Sequence, residues 1–311
     1  MASSKTKIFK TIDEQITILR HKGLTIDDPE KTKNILLREN YFFISGYRHL
    51  FTSQKDKFLE GTTFEELYAT FIFDRKLRNI FFKNILIVEN NIKSIISYQL
   101  SKKYGFRDKD YLNPQNFQED KLASRQVKDV LNKVKRQVSV NGRQHTATMH
   151  YIDNYGYIPM WVLVKVLSFG IMSEFYGILR QDDQQNIASF YKLEAPILEK
   201  YLSIISNFRN VCAHEDILYD HRTQKIIPDS KYHEQLNIPK IDEVYKYGKN
   251  DLFGLVIMLK SLLSAEEFSE MMDEIRLEVE ILDDIVSVIP LSKILQKIGF
   301  PDNWYELESL E

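Results

Sequence analysis

One apolar stripe constrains the fold of this chain more than any other feature. Leu77, Phe81, Ile85, Val88, Ile92 and Ile95 recur at steps of three and four, so a helix places them on one face. Gly61 precedes this region. Thr63, followed three residues later by Glu66, matches a capping box. Tyr104-Gly105 ends the helix after about Lys103. Elsewhere the same period dominates. There are only 11 glycines and 8 prolines in 311 residues and few strand-like alternations, so the predicted class is all-α.

Composition then narrows the function. The formal net charge is 42 − 44 = −2, so the whole protein does not attract polyanions, and any nucleic-acid surface must come from local clustering. One cysteine, Cys212, excludes an internal disulfide framework and fits a reducing compartment. The start, MASSKTKIFK, lacks the apolar core of a signal peptide. Apolar runs such as LFGLVIML at 252–259 are too short to span a bilayer. These features predict a cytoplasmic protein without a membrane partner.

Other elements follow from local signals. Residues 11–22 carry Ile12, Ile16 and Leu19 on one face, with Gly23 as a stop. Asp28 is an N-cap for a second helix, with Pro29 at its first position. Residues 105–118 read as loop. Residues 119–138 are an amphipathic helix with Ala123, Val127, Val130, Val134 and Val138 on its apolar side. Residues 141–145 are a turn. A buried helix opens at Pro159 and is expected to break near Gly170. Residues 195–213 form another helix, 216–249 are irregular, and two or three acidic helices end the chain, the pair Ser264 and Glu267 forming a further capping box.

The helix at 195–213 raises a chemical question. At 100° per residue from Leu198, Tyr201, Leu202, Ile205, Phe208 and Cys212 form one apolar stripe, and Arg209 falls inside it near 20°. A guanidinium there needs a partner, with Glu89 and Asp74 as candidates, or must face an opening. His214 would fall near 160° if the helix continued. Either the helix ends near Ala213 and the chain turns, or the site is assembled from two copies of the helix. Metal-free RNA cleavage needs a base for the 2′-hydroxyl and an acid for the leaving 5′-oxygen. Two imidazoles can supply both near neutral pH, and an arginine can hold the phosphate oxygens. Asn210 either orients a catalytic group or caps the helix end.

The segment RNVCAH at 209–214 resembles the R-x4-6-H motif of the HEPN ribonuclease superfamily. Around it, LRENYFFISGYRHLF at 37–51, the segment 64–101, PMWVLVKVLSFGIMSEFY at 159–176, LSIISNFRNVCAHEDILYD at 202–220 and KIGFPDNW at 297–304 resemble the Abi-like abortive-infection family of the AbiD and AbiF type. The resemblance implies a HEPN-type helical core over 61–222. It also implies an N-terminal helical extension over 1–60 and, over 223–311, an irregular segment with acidic helices packed on the core. It further implies a metal-independent endoribonuclease of phage defence, without cofactor, acting as a homodimer with two motifs face to face. Arg209, Asn210 and His214 occupy the motif positions, and Glu89 stands where the family has an acidic residue on the long helix. Asp74 and Arg75 also match a family segment, with a salt-bridged helix start as their structural reading. Many relatives carry a second histidine where this chain has Glu215.

Other residues offer RNA contacts. Lys121, Arg125, Lys128, Lys133, Lys135 and Arg136 lie on one side of the 119–138 helix, with Arg143 and His145 after it. A solvated helix face is the competing reading. Tyr41, Phe42, Phe43, Tyr47 and Arg48 could stack on bases or fill the core. No cysteine or carboxylate cluster has zinc-like spacing, and no glycine loop suits an NTPase. The leading expectation is an endoribonuclease. The alternatives are an RNA-binding protein that does not cut, or a toxin held silent by a non-coding RNA or an antitoxin protein.

Overall fold

A computed structural model of the chain describes residues 8–53, 56–119 and 121–310, with residues 121–123 described by backbone alone. Helices α1 (Ile12–His21), α2 (Pro29–Glu39) and α3 (Tyr41–Ser45) come first. Each has a side-chain cap, from Thr11, Asp28 and Asn40 respectively. Gly23 follows α1 at φ +93°, a conformation open to glycine at little cost.

Helix α4 (Phe64–Tyr104) is the spine of the fold. Its capping box forms as the sequence predicts: the Glu66 carboxylate accepts the Thr63 N–H at 3.0 Å, and the Thr63 hydroxyl accepts the Glu66 N–H at 3.2 Å. Gly105, at φ +102°, ends it. Leu77, Phe81, Ile85, Val88 and Ile92 are all buried to 0% exposure, so the stripe is the core face. Ile95 is only partly buried, and Ile96 takes the core position instead. Eighteen residues are five full helical turns, so Ile95 points as Leu77 does, and it is the buried face that has rotated along α4.

Next come α5 (Asp108–Tyr111), α6 (Lys121–Asn141), α7 (Thr146–Tyr155), α8 (Met160–Val166), α9 (Phe169–Gly177), α10 (Gln181–Ala188) and α11 (Ala195–Ala213). The stretch read as loop at 105–118 thus holds the short helix α5. The break in the buried 160–177 segment falls at Leu167–Ser168 rather than near Gly170. Leu167 is extended, and the Ser168 hydroxyl accepts the Ile171 N–H at 3.4 Å, so a cap sets the boundary. Gly170 lies inside α9, where an added Cβ would sit 3.3 Å from Ser206 Oγ on α11. That glycine serves close helix approach.

The remaining elements are α12 (Lys231–Gln235), a small antiparallel pair β1 (Lys240–Ile241) and β2 (Val244–Tyr245), then α13 (Leu252–Leu262), α14 (Ala265–Ile285) and α15 (Leu291–Ile298). Asp242 and Glu243 between the strands both have positive φ, as a two-residue hairpin turn requires. The strands are too short to alter the all-α class. Helices α8, α11 and α14 pack along α4, α9 packs on α11, and α13 touches both α4 and α11. One buried apolar cluster runs from Ile16 to Leu307. Glu66 ties the last long helix to the spine. Its Oε1 accepts the N–H groups of Ser287 and Val288 at 2.7 and 2.9 Å, just beyond α14. Among the described residues, no helix is long and apolar enough to cross a membrane.

Candidate active site around Arg209

Helix α4 carries Asp74, Arg78, Phe82 and Glu89 at steps of four, four and seven, which align on one helical face. This face meets the C-terminal end of α11 and the turn after it. Glu89 touches residue 209, while Asp74 touches residues 218 and 219. The two helices therefore run antiparallel here.

Of the two partners considered for Arg209, the fold selects Glu89. Arg209 Nε lies 3.6 Å from Glu89 Oε2, and the guanidinium carbon stands 5.6 Å from the Phe82 ring centre. The Arg209 side chain keeps 30% of its exposure, whereas Glu89 keeps 9%. At 3.6 Å the contact is an ion pair and not a hydrogen bond. Both Arg209 Nε and Glu89 Oε2 are buried and lack a hydrogen-bond partner among the described residues. The other Glu89 oxygen accepts from Lys93 Nζ at 2.6 Å. A buried carboxylate thus orients the guanidinium through charge, with no hydrogen bond to it among the described residues. Phe82 supports it from below. Lys93 and Phe82 escaped the sequence reading, although Lys93 is four residues from Glu89 and so on the same face.

Helix α11 ends at Ala213, and the chain turns. His214 is the C-cap, its N–H donating to the Asn210 carbonyl at 3.0 Å. The Glu215 N–H donates to the Cys212 carbonyl at 3.4 Å and the Asp216 N–H to the Val211 carbonyl at 3.1 Å. This is the two-bond Schellman ending, which normally places glycine at the left-handed position. Here that position is Glu215, at φ +56°. Asn210 and His214 are exposed. No hydrogen bond joins either side chain to Arg209 or Glu89 among the described residues. Backbone groups cap the helix end, so the Asn210 amide is not used as a cap. One chain brings Glu89 and Arg209 together and leaves Asn210 and His214 exposed at the end of α11.

Asp74 holds the turn that follows. It is fully buried and accepts from Tyr47 Oη at 2.6 Å, from the Leu218 N–H at 3.2 Å and from the Tyr219 N–H at 2.6 Å. It also pairs with Arg78, which donates to the Asp216 carbonyl at 3.2 Å. Burial pushes its carboxyl pKa up, against the pull of Arg78 and these donors. Asp74 is thus structural, though not the simple helix-start salt bridge expected. Arg75 pairs with Glu39 and lies over the Phe71 ring. Tyr47 is buried in this network and so belongs to the core, while Phe42 and Phe43 are exposed.

On α6, Val127, Val130 and Val134 are buried, while Arg125, Lys128, Lys133, Lys135 and Arg136 are exposed, as is Arg143 beyond the helix. Lys133 pairs with Glu174 at 2.7 Å. The other five have no ion pair among the described residues. The side chains of Lys121 and Ala123 lie outside the described set. His145 is committed to capping α7, its Nδ1 accepting the Thr148 N–H at 3.3 Å. Among the described residues, no group of three or more His, Cys, Asp or Glu side chains could hold a metal ion. No curated protein and no solved structure matches the chain. The family model for Abi-like proteins matches residues 34–220, from α2 through the Arg209–His214 motif to the turn held by Asp74. On that match, which covers more than half of its length, the chain belongs to the Abi-like protein family.

Proposed function

We propose that this protein is a metal-independent endoribonuclease of abortive-infection phage defence. Its site forms where two copies bring their α11 ends together. The defence role rests on membership of the Abi-like family. The chemistry rests on Arg209, a permanent cation held half-buried beside a buried carboxylate, with no hydrogen bond to its guanidinium among the described residues. Such a fork suits a phosphate whose charge grows in the transition state. His214 takes the 2′-hydroxyl proton as the 2′-oxygen bonds to phosphorus. The second copy's imidazole protonates the 5′-oxygen as its bond to phosphorus breaks. The products are a 2′,3′-cyclic phosphate and a 5′-hydroxyl. Glu89 orients Arg209, and Asn210 orients the phosphate or the imidazole. The exposed cations of α6 and Arg143 hold the strand by its phosphates.

A second reading, RNA binding without cleavage, draws on the absence of any hydrogen bond between His214 and Arg209 among the described residues. A third has an antitoxin protein or a non-coding RNA keeping the site silent. One experiment separates cleavage from binding. Wild type and His214→Ala are incubated with total RNA in EDTA, and the new ends are mapped. Cyclic phosphate ends from wild type alone support the assignment. Equal cutting by both would sink it, and tight binding without cutting by either would favour the second reading. Sizing in solution tests the two-copy site, which a strict monomer with full activity would exclude.

A further inference from the structure

Away from Arg209, a group of aromatic side chains gathers at the surface. The ring of His150 stands 5.9 Å from that of Tyr155, and Tyr151 stands 5.4 Å from Tyr155. Tyr155 reaches Tyr157 at 6.2 Å, Tyr157 reaches Phe106 at 5.6 Å, and Phe106 reaches Trp161 at 6.2 Å. The Arg107 guanidinium lies 5.9 Å from the Phe106 ring centre and 5.5 Å from that of Tyr157. Among the described residues it has no ion pair. Rings of this size normally finish inside a core. Here Tyr155, Trp161 and Phe106 keep 57, 47 and 42% of their exposure. Three separate segments converge to present them: the chain after α4, the end of α7 and the start of α8.

The array borders α4, the helix that carries Glu89. Trp161 and Lys165 are one helical turn apart on the exposed side of α8. Lys165 Nζ donates to Asn90 Oδ1 on α4 at 3.3 Å, and Asn90 follows Glu89, the partner of Arg209, about 100° further round the helix. A row of exposed and half-buried rings under a guanidinium, followed by an exposed ammonium, is chemistry that accepts flat heterocycles strung on a phosphate backbone. Aromatic rings stack on any base, guanidinium adds a cation–π term, and lysine meets phosphate. A duplex cannot use such rings, because its bases already stack on each other.

We propose that the Tyr155–Tyr157–Phe106–Trp161 array is a stacking platform for unpaired RNA bases that delivers a single strand to Arg209. This rests on the ribonuclease reading for its destination, but its own test is binding. The chain has two tryptophans, and Trp304 is only 4% exposed, so quenching of tryptophan fluorescence reports on Trp161. A labelled oligouridylate of about 12 nucleotides, long enough for one such site, is titrated in EDTA into His214→Ala protein, which keeps the strand intact.

The expected result is quenching in step with binding. Single-strand affinity falls on the order of 10-fold in Trp161→Ala and in Tyr155→Ala, since one stacked base contributes that scale of effect. Trp161→Phe restores most of it, and affinity for a duplex of equal length is unchanged throughout. Binding without quenching, ring variants that bind as tightly as the parent, or no binding of single strands would each overturn the proposal. A platform that serves a protein partner instead gives that last outcome. If ring variants cut RNA as well as wild type, the platform falls and the nuclease stands. If they lose single-strand binding while wild type cuts nothing, the platform stands and the nuclease reading falls.

Discussion

Asp74 accepts the backbone N–H of Tyr219 at 2.6 Å across 145 residues of sequence. Through that bond, and the parallel one from Leu218, the N-terminal third of α4 dictates where the chain goes after the Arg209–His214 motif. Replacing Asp74 with Ala strips the partner from Arg78, which is itself only 4% exposed. An uncompensated buried cation costs about 3–5 kcal/mol. Urea unfolding of Asp74→Ala should show a loss of that order. A loss below about 1 kcal/mol would mean that the network is not what anchors the turn.

Glu89 faces two cations, Lys93 and Arg209, and Gln in its place keeps the shape while removing the charge. Glu89→Gln should cut RNA at least about 10-fold more slowly, the scale for a misplaced phosphate-binding group, whereas Leu86→Ala one turn away should not. His214 is exposed and its side chain has no hydrogen bond or ion pair among the described residues, so His214→Ala should abolish cutting without moving the unfolding midpoint. A His214→Ala protein that is inactive only because it unfolds would count against the catalytic role.

Glu215 holds the left-handed position of the α11 ending at φ +56°. A non-glycine residue there costs about 1 kcal/mol. Glu215→Gly should raise stability by up to that amount, with Glu215→Ala gaining nothing. The gain is capped because the carboxylate also lies in electrostatic range of Arg75. A thermal scan of both variants decides, and destabilisation by glycine would show that this charge contact outweighs the backbone strain.

Asp251 caps α13, accepting the Gly254 N–H at 2.9 Å and the Gly248 N–H at 3.0 Å. Burial pushes its carboxyl up to about 6, although the N–H donors and Arg222 pull the other way. An unfolded aspartate titrates near about 3.9. Between those values the folded chain holds a proton that the unfolded chain has released. Its contribution is therefore most favourable below about pH 4 and is lost as pH rises through about 6, by a few kcal/mol at most. Asp251→Asn removes the titration. The stability of the variant relative to wild type should rise between pH 4 and pH 7, and a constant difference would refute the shift.

Cys212 is buried on the core side of α11, and burial pushes its thiol up to about 12. A thiolate is the reactive form. Cys212 should resist thiol reagents in the folded protein and react at once in urea. Fast labelling of the native state would show that the end of α11 opens.

Much of this architecture was legible along the chain because caps and helical periodicity are local. Thr63 with Glu66, Asp28 before Pro29, and Ser264 with Glu267 start helices through bonds spanning three residues. The stripe from Leu77 to Ile92 is buried as its spacing requires. The all-α class and the 195–213 helix follow from the same rule. What periodicity cannot say is which face meets which. It offered Arg209 two partners, and only the antiparallel contact of α4 with α11 gave Glu89 to Arg209 and Asp74 to the turn beyond. It placed a break near Gly170 because glycine reads as punctuation, whereas the fold uses Gly170 for contact and Ser168 for the cap. The array from His150 to Trp161 was invisible because its rings come from three segments joined only by folding. Local hydrogen bonds are written in neighbouring residues, while pairings between distant helices depend on how whole faces fit together.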